Sequence, residues 1–104
     1  MDFLKVSSKS SPASVAGAIA GLIKDCKPVE LQSVGAGAIN QAIKAVAIAR
    51  GFLIPVGIDI ACKPYFSDIV INNEKRTAIR LAIVQTSLVE RDIEHSQQTQ
   101  EYNF

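Results

Sequence analysis

A glycine-rich turn that leads into an almost wholly apolar helix limits the folds open to this chain. Residues 29–34 are predicted to form a strand, residues 35–37 a turn, and residues 38–50 a helix. Nine of the twelve residues from 38 to 49 are apolar. The three exceptions are Asn40, Gln41 and Lys44. A helix that is apolar on nearly every side needs more than one covering surface, so we expect it to pack on its own sheet and on a second subunit.

The glycine turn also predicts an anion site. The first backbone N–H groups of a helix have no partner within the helix, and the helix dipole favours negative charge beside them. Phosphate is the commonest biological anion that fits. A dinucleotide fingerprint would need glycine in place of Asn40, and a Walker A loop would need Gly-Lys-Ser/Thr after the turn, so neither motif is indicated.

The remaining segments predict the element order βαβαββ and an α+β fold. Strands are expected at residues 3–7, 29–34, 54–71 and 76–84, with Pro64 interrupting the third. Helices are expected at residues 12–25, begun by Ser11 and Pro12, and at residues 38–50, ended by Gly51. A right-handed first crossover makes strands 1 and 2 parallel. The last two strands form a long hairpin turning at Asn72-Asn73, and the mixed four-stranded sheet carries two helices on one face as a two-layer sandwich.

This topology brings both strand-to-helix loops, residues 7–11 and 35–37, to the same edge of the sheet. Two anion signals that are weak alone thereby become neighbours, and the hairpin tip adds positive charge. The predicted binding residues are Lys9, Ser10, Ser11, Gly35, Gly37, Asn40, Gln41, Lys44, Lys75 and Arg76.

Other residues argue against catalysis, cofactors and membrane insertion. The only histidine is His95, and Cys26 and Cys62 have no CxxC spacing, so we expect free thiols, no metal site and no catalytic residues. No cofactor motif is present. The N-terminus lacks the form of a signal peptide and no uninterrupted apolar run reaches roughly 18 residues, so we expect a cytoplasmic protein that does not enter the membrane.

Charge is unevenly distributed along the chain. Residues 1–85 hold ten basic and six acidic residues, whereas residues 86–104 hold one basic and four acidic residues. We therefore divide the chain into a folded domain, residues 1–86, and an acidic polar extension, residues 87–104. Ser87 and Glu90 have capping-box spacing, which favours a short helix at the start of the extension.

Several motifs resemble a known family. Lys9-Ser10-Ser11-Pro12, the segment 14–18, the long segment 35–51 and Arg76-Thr77-Ala78-Ile79 are similar to the stage V sporulation protein S family. The resemblance covers residues 2–85. That family in turn resembles, in fold, the Alba superfamily of small chromatin- and RNA-binding proteins.

The resemblance implies a bacterial cytoplasmic regulator that binds DNA or RNA with weak to moderate affinity. It implies contacts from the loop before the first helix, the start of the second helix and the hairpin arm. It also implies a homodimer or tetramer. Two alternatives remain open: an assembly module without nucleic-acid binding, and a site for a small phosphorylated ligand at the paired helix starts.

Overall fold

A computed structural model describes residues 3–87, and within them the chain has the predicted order βαβαββ. The elements are β1 (Phe3–Val6), α1 (Pro12–Lys24), β2 (Val29–Ser33), α2 (Ala36–Leu53), a 3-10 turn (Ile54–Val56), β3 (Asp59–Ile71) and β4 (Glu74–Thr86). The α+β class and the Alba-like arrangement are confirmed. Apart from Ser87, the predicted extension lies outside the described residues, and so does the short helix expected at its start.

The four strands form one mixed sheet in the order β1-β2-β4-β3. β1 runs parallel to β2, as predicted, and the other two pairings are antiparallel. Leu31 lies in register with Leu4 on one side and with Leu81 on the other. Residues on this face of the sheet share one hydrophobic core with buried residues of α1 and α2, such as Ile19 and Ala45. The opposite face, which we call the open face, carries the alternate residues of each strand.

Three predicted boundaries are wrong. Residues 54–56 do not begin the third strand; they form the 3-10 turn, whose proline at the helix start favours a helical backbone, and β3 begins at Asp59. Gly51 does not end α2; the helix continues to Leu53, which is fully buried and ties the last turn to the core. The left-handed residue that ends the helical segment is instead Gly57, which follows the 3-10 turn and has φ of 84°. Pro64 does not interrupt β3, because β3 is an edge strand, where the missing N–H can face away from the ladder.

Helix α2 is longer than the sequence pattern indicated, running from Ala36 to Leu53. With the 3-10 turn it spans 21 residues, enough by length and composition to cross a membrane, a test that core helices of globular proteins also pass. One stripe of this helix, which includes Ala42, Ala45, Ala49 and Leu53, is buried in the core shared with the sheet and α1. In this fold one stripe of α2 lies in the core, whereas other apolar side chains of the helix, such as Ile43 and Phe52, are exposed.

The β3–β4 hairpin extends beyond the rest of the sheet. β4 pairs with β2 only as far as Ile79, opposite Ser33, so residues 67–78 pair only with each other. Asn72 and Asn73 form the turn with φ values of 52° and 65°, the left-handed pair that a tight two-residue hairpin requires. We call residues 67–78 the arm.

Candidate nucleic-acid interface

The loop between β1 and α1 is folded by its own serines. The Ser7 amide donates to Ser10 Oγ at 2.9 Å, and the Ser10 amide donates to the Ser7 carbonyl at 3.1 Å. The Lys9 amide donates to Ser7 Oγ at 3.2 Å. These contacts fix a tight turn with the exposed Lys9 on it. The Ser10 hydroxyl is thus used to shape the loop, and Lys9 carries the loop's positive charge.

The two helix starts differ in how they are capped. Ser11 caps α1, because its hydroxyl accepts from the Ser14 amide at 3.3 Å. Gly35 caps α2 and offers no side chain, and its φ of 90° and ψ of 156° suit glycine alone. Ala36 and Gly37 follow it and are exposed. The first turn of α2 is therefore the more accessible of the two anion-favouring helix ends.

The structure brings the two loops into contact. Gln41 Nε2 donates to the Ser10 carbonyl oxygen at 3.0 Å. A Cβ added to Gly37 would lie 3.1 Å from Ser8 Cβ, which is tighter than ordinary van der Waals contact. Glycine at this position lets the start of α2 approach the β1–α1 loop.

The other predicted residues lie on α2 and on the arm. Asn40 and Lys44 are exposed on α2, with Lys44 one turn beyond Asn40. Lys75 and Arg76 are exposed at the start of β4, in register with Val70 and Ile69. Because strand residues alternate, these two cations lie on opposite faces of the arm. A ligand lying flat on one face of the arm therefore contacts only one of them directly.

A groove joins the arm to the β1–α1 loop. It has a volume of about 470 Å³, and its lining includes Ser7 and Ser8, residues 69–71 of the arm, and Lys5 and Gln32 of the sheet. The strand partners of Lys75 and Arg76 thus share a groove with the serine loop. The arm and the paired loops form one continuous surface.

The groups with shifted pKa values lie away from the paired loops. Hydrogen bonds from the Arg50 guanidinium lower the pKa of the Asp59 carboxyl below its ordinary value, although burial opposes the effect. Arg50 holds Asp59 with two bonds, Nε to Oδ1 at 2.6 Å and a terminal nitrogen to Oδ2 at 3.0 Å. This pair ties the last turns of α2 to the start of β3, which is a structural role.

Sequence reasoning missed a cluster on the open face. The Arg80 guanidinium lies 3.9 Å from the centroid of the Phe3 ring, and its Nε donates to Gln32 Oε1 at 3.0 Å. The Tyr65 hydroxyl donates to the Glu30 carboxylate, and that carboxylate raises the pKa of Tyr65. Alternation in β1 and β4 was the available signal, since it places Phe3 and Arg80 opposite the core-facing residues.

Residues 3–87 contain no group of three or more histidine, cysteine or acidic side chains able to hold a metal ion. Cys26 and Cys62 are free thiols, the first exposed and the second half-buried.

The fold and this surface define a small α+β protein in which two joined helix starts and a hairpin arm form one basic edge. The chain matches the family model described as Stage V sporulation protein S over residues 2–86 and belongs to that family. It is thus a small sporulation-related protein of a regulatory family.

Proposed function

We propose that this protein is a non-catalytic bacterial regulator that binds DNA or RNA through the joined helix starts and the arm. The observation that carries the proposal is the contact between Gln41 and Ser10, which sets the open start of α2 beside Lys9. Backbone N–H groups at a helix start favour phosphate, and nearby lysine adds charge. The family's place in sporulation supports a regulatory role in the cytoplasm.

The surface predicts modest affinity. It carries four exposed cations, Lys9, Lys44, Lys75 and Arg76, and the arm also carries the acidic residues Asp68 and Glu74. Each phosphate contact adds about 0.9 to the slope of log affinity against log salt concentration on duplex DNA. We therefore expect weak to moderate binding that falls steeply as salt rises.

The test is a charge reversal with a matched control. The double variant K9E/K75E removes one cation from the loop and one from the arm. The control K24E/K27E makes the same charge change at the C-terminal end of α1 and just after it, where both lysines are exposed; because Lys27 lies near Phe3 and Glu30, it serves as the control for duplex binding. Binding is measured by fluorescence anisotropy with labelled duplex DNA and RNA at several salt concentrations.

We expect K9E/K75E to weaken binding strongly and to lower the salt slope by about 1.8, which corresponds to two lost phosphate contacts. The control is expected to bind within about twofold of the unmodified protein, because exposed charges beyond a Debye length of roughly 10 Å are screened. An equal loss of affinity in both variants would show that binding depends on the net charge of the protein and not on Lys9 and Lys75. Absence of binding by the unmodified protein at low salt would refute the proposal.

Self-association is a second proposed property, and exposed apolar side chains favour it. Ile43 on α2 is 46% exposed, and Phe66 and Val70 on β3 are 76% and 67% exposed. The register places Phe66 beside Ile79 and Val70 beside Lys75, on the helix side of the sheet. Burying such side chains against a second copy would stabilise a homodimer or tetramer. An assembly that forms without nucleic-acid binding is the alternative function.

A further inference from the structure

The open face carries an ordered array of aromatic and basic side chains. Strand register sets Lys5, Gln32, Arg80 and Tyr65 in one row across all four strands. The neighbouring row contains Phe3, Glu30, Ala82 and Lys63. Side chains of adjacent strands in such rows lie about 5 Å apart, so the two rows form a single platform.

Arg80 at the centre of the platform is held in place from two sides. Its guanidinium lies over the Phe3 ring at 3.9 Å, and its Nε is bonded to Gln32 Oε1 at 3.0 Å. A guanidinium fixed in this way loses little conformational freedom when a further planar group stacks on it. Arg80 and Phe3 both remain partly exposed, so the pair is accessible.

Tyr65 lies next to Arg80 in the same row, on the edge strand β3. Its side chain is fixed by the hydrogen bond to Glu30, and the residue is 41% exposed. The platform therefore presents two oriented flat surfaces, the Arg80–Phe3 pair and the Tyr65 ring. Two neighbouring flat surfaces of this kind match two successive bases of a nucleic-acid strand.

The charge of the platform fits a phosphate backbone. Lys5 and Lys63 are exposed near opposite edges of the sheet, and Arg80 lies between them. Glu30 is the one acidic side chain in the two rows, and its carboxylate accepts from Tyr65. The net charge of the seven named side chains and Ala82 is positive. A backbone crossing the sheet would pass a lysine at each side of the stacking surfaces.

We propose that the open face binds single-stranded nucleic acid, with one base stacked on the Arg80–Phe3 pair and the next on Tyr65. Bases in a duplex are already stacked and paired, so only a single strand can use this surface. The proposal deepens the proposed function, on which it rests for the ligand class, but it uses residues separate from Lys9 and the arm. Lys5 and Gln32 of the platform also line the groove beside the arm, so the test variants are placed at Tyr65, Arg80, Lys9 and Lys75, outside that groove, where the two surfaces can fail separately.

The test compares a labelled single-stranded RNA of about 12 nucleotides, within the usual site sizes of single-strand binders, with the DNA of the same sequence and the corresponding duplexes. Tyr65→Leu removes the ring, whereas Tyr65→Phe keeps the ring and loses only the hydroxyl. Arg80→Lys keeps the charge and loses the planar group. Affinity is measured by fluorescence anisotropy, and thermal melting by circular dichroism checks that each variant is folded.

We expect Y65L and R80K each to weaken single-strand binding by about 5- to 160-fold, the range for loss of one stacked base. Y65F is expected to lose less affinity than Y65L, because it keeps the stacking ring and loses only the hydroxyl that donates to Glu30. Duplex binding should change little in all three variants, and it should fall in K9E/K75E. A larger effect on RNA than on DNA would indicate that the 2′-hydroxyl is also read.

The proposal is overturned if folded Y65L and R80K bind the single strands as tightly as the unmodified protein. It is also overturned if Y65F loses as much affinity as Y65L, since the ring would then be irrelevant. If K9E/K75E leaves all binding intact while Y65L abolishes single-strand binding, the loop-and-arm surface is wrong and the open face stands. If K9E/K75E loses duplex binding while Y65L and R80K have no effect, the open face is wrong and the loop-and-arm surface stands.

Discussion

Gln41 Nε2, on the second turn of α2, donates a hydrogen bond of 3.0 Å to the backbone carbonyl of Ser10, 31 residues earlier in the chain. The bond joins the two helix starts at one edge of the sheet. Neither helix propensity nor packing of the apolar face of α2 requires glutamine at position 41. The bond therefore stabilises the contact between the two loops.

The first prediction concerns this bond. Gln41→Ala should lower the free energy of unfolding by about 0.5–1.5 kcal/mol, the usual net contribution of one hydrogen bond. It should also weaken duplex binding although no charge changes, because the loop carrying Lys9 is no longer tied to α2. Denaturant unfolding and anisotropy measure the two effects. Gln85→Ala, at an exposed position near the end of β4, is the control, and an equal loss of binding there would contradict the prediction.

The second prediction separates glycines that the backbone requires from those that it does not. Gly21 lies inside α1, is exposed, and has no heavy atom within 4 Å of an added Cβ, so Gly21→Ala should stabilise the protein by about 0.5–1 kcal/mol. Gly35 has φ of 90°, so Gly35→Ala should destabilise it by about 1–3 kcal/mol. Thermal or denaturant unfolding measures both. A stabilising Gly35→Ala would show that the α2 cap is not strained by a side chain.

The third prediction concerns pH. Asp59 has a folded pKa below its ordinary value of 3.8, because Arg50 donates to it, so the unfolded chain takes up the proton first. The contribution of the pair is therefore complete above about pH 5 and is lost as the pH falls through 3.8 towards the folded pKa.

Asp59→Asn should cost about 1–3 kcal/mol at pH 7 and flatten this acid dependence, since the side chain no longer titrates. Urea unfolding between pH 7 and pH 3 measures both changes. Asp68→Asn, an exposed carboxyl on the arm, is the matched control and should leave the curve nearly unchanged. A pH dependence of Asp59→Asn equal to that of the unmodified protein would contradict the assignment.

The fourth prediction concerns self-association. Light scattering at micromolar concentration should give a mass above the 11.2 kDa of one chain. Phe66→Glu should lower that mass, because it places a charge among the most exposed apolar side chains of the described residues. Phe52→Glu makes the same change on α2, where Phe52 is 50% exposed. If only Phe52→Glu lowers the mass, the interface lies on α2 and not on β3. A monomeric unmodified protein would exclude self-association.

Sequence reasoning predicted the order of elements because each element carries a local signal. Ser11 and Pro12 begin α1, and the Asn72-Asn73 pair turns the hairpin, as expected from capping and turn chemistry. The errors at Gly51 and Pro64 arose where neighbours outweigh local preference, and residues 54–56 were wrongly assigned to a strand although they continue the helical segment as a 3-10 turn. Burial of Leu53 extends α2 past a glycine, and the edge position of β3 allows a proline within the strand.

The candidate site also has one part that sequence reasoning predicted and one part that it did not. Right-handed crossover predicted that the two loops would be neighbours, but the Gln41–Ser10 bond and the close approach of Gly37 to Ser8 depend on side-chain geometry that no local pattern encodes. The opposite facing of Lys75 and Arg76 follows from the alternation of consecutive residues along β4.

The sequence by itself determined the helices, the turns, the parallel first pair of strands and the family, because these depend on residues near one another or on motifs read in order. Only the tertiary structure decided the platform on the open face. Phe3, Gln32, Tyr65 and Arg80 lie on four different strands, and their contacts exist because strand order and register place them in adjacent rows. A shift of one residue in any pairing would turn one of them to the opposite face.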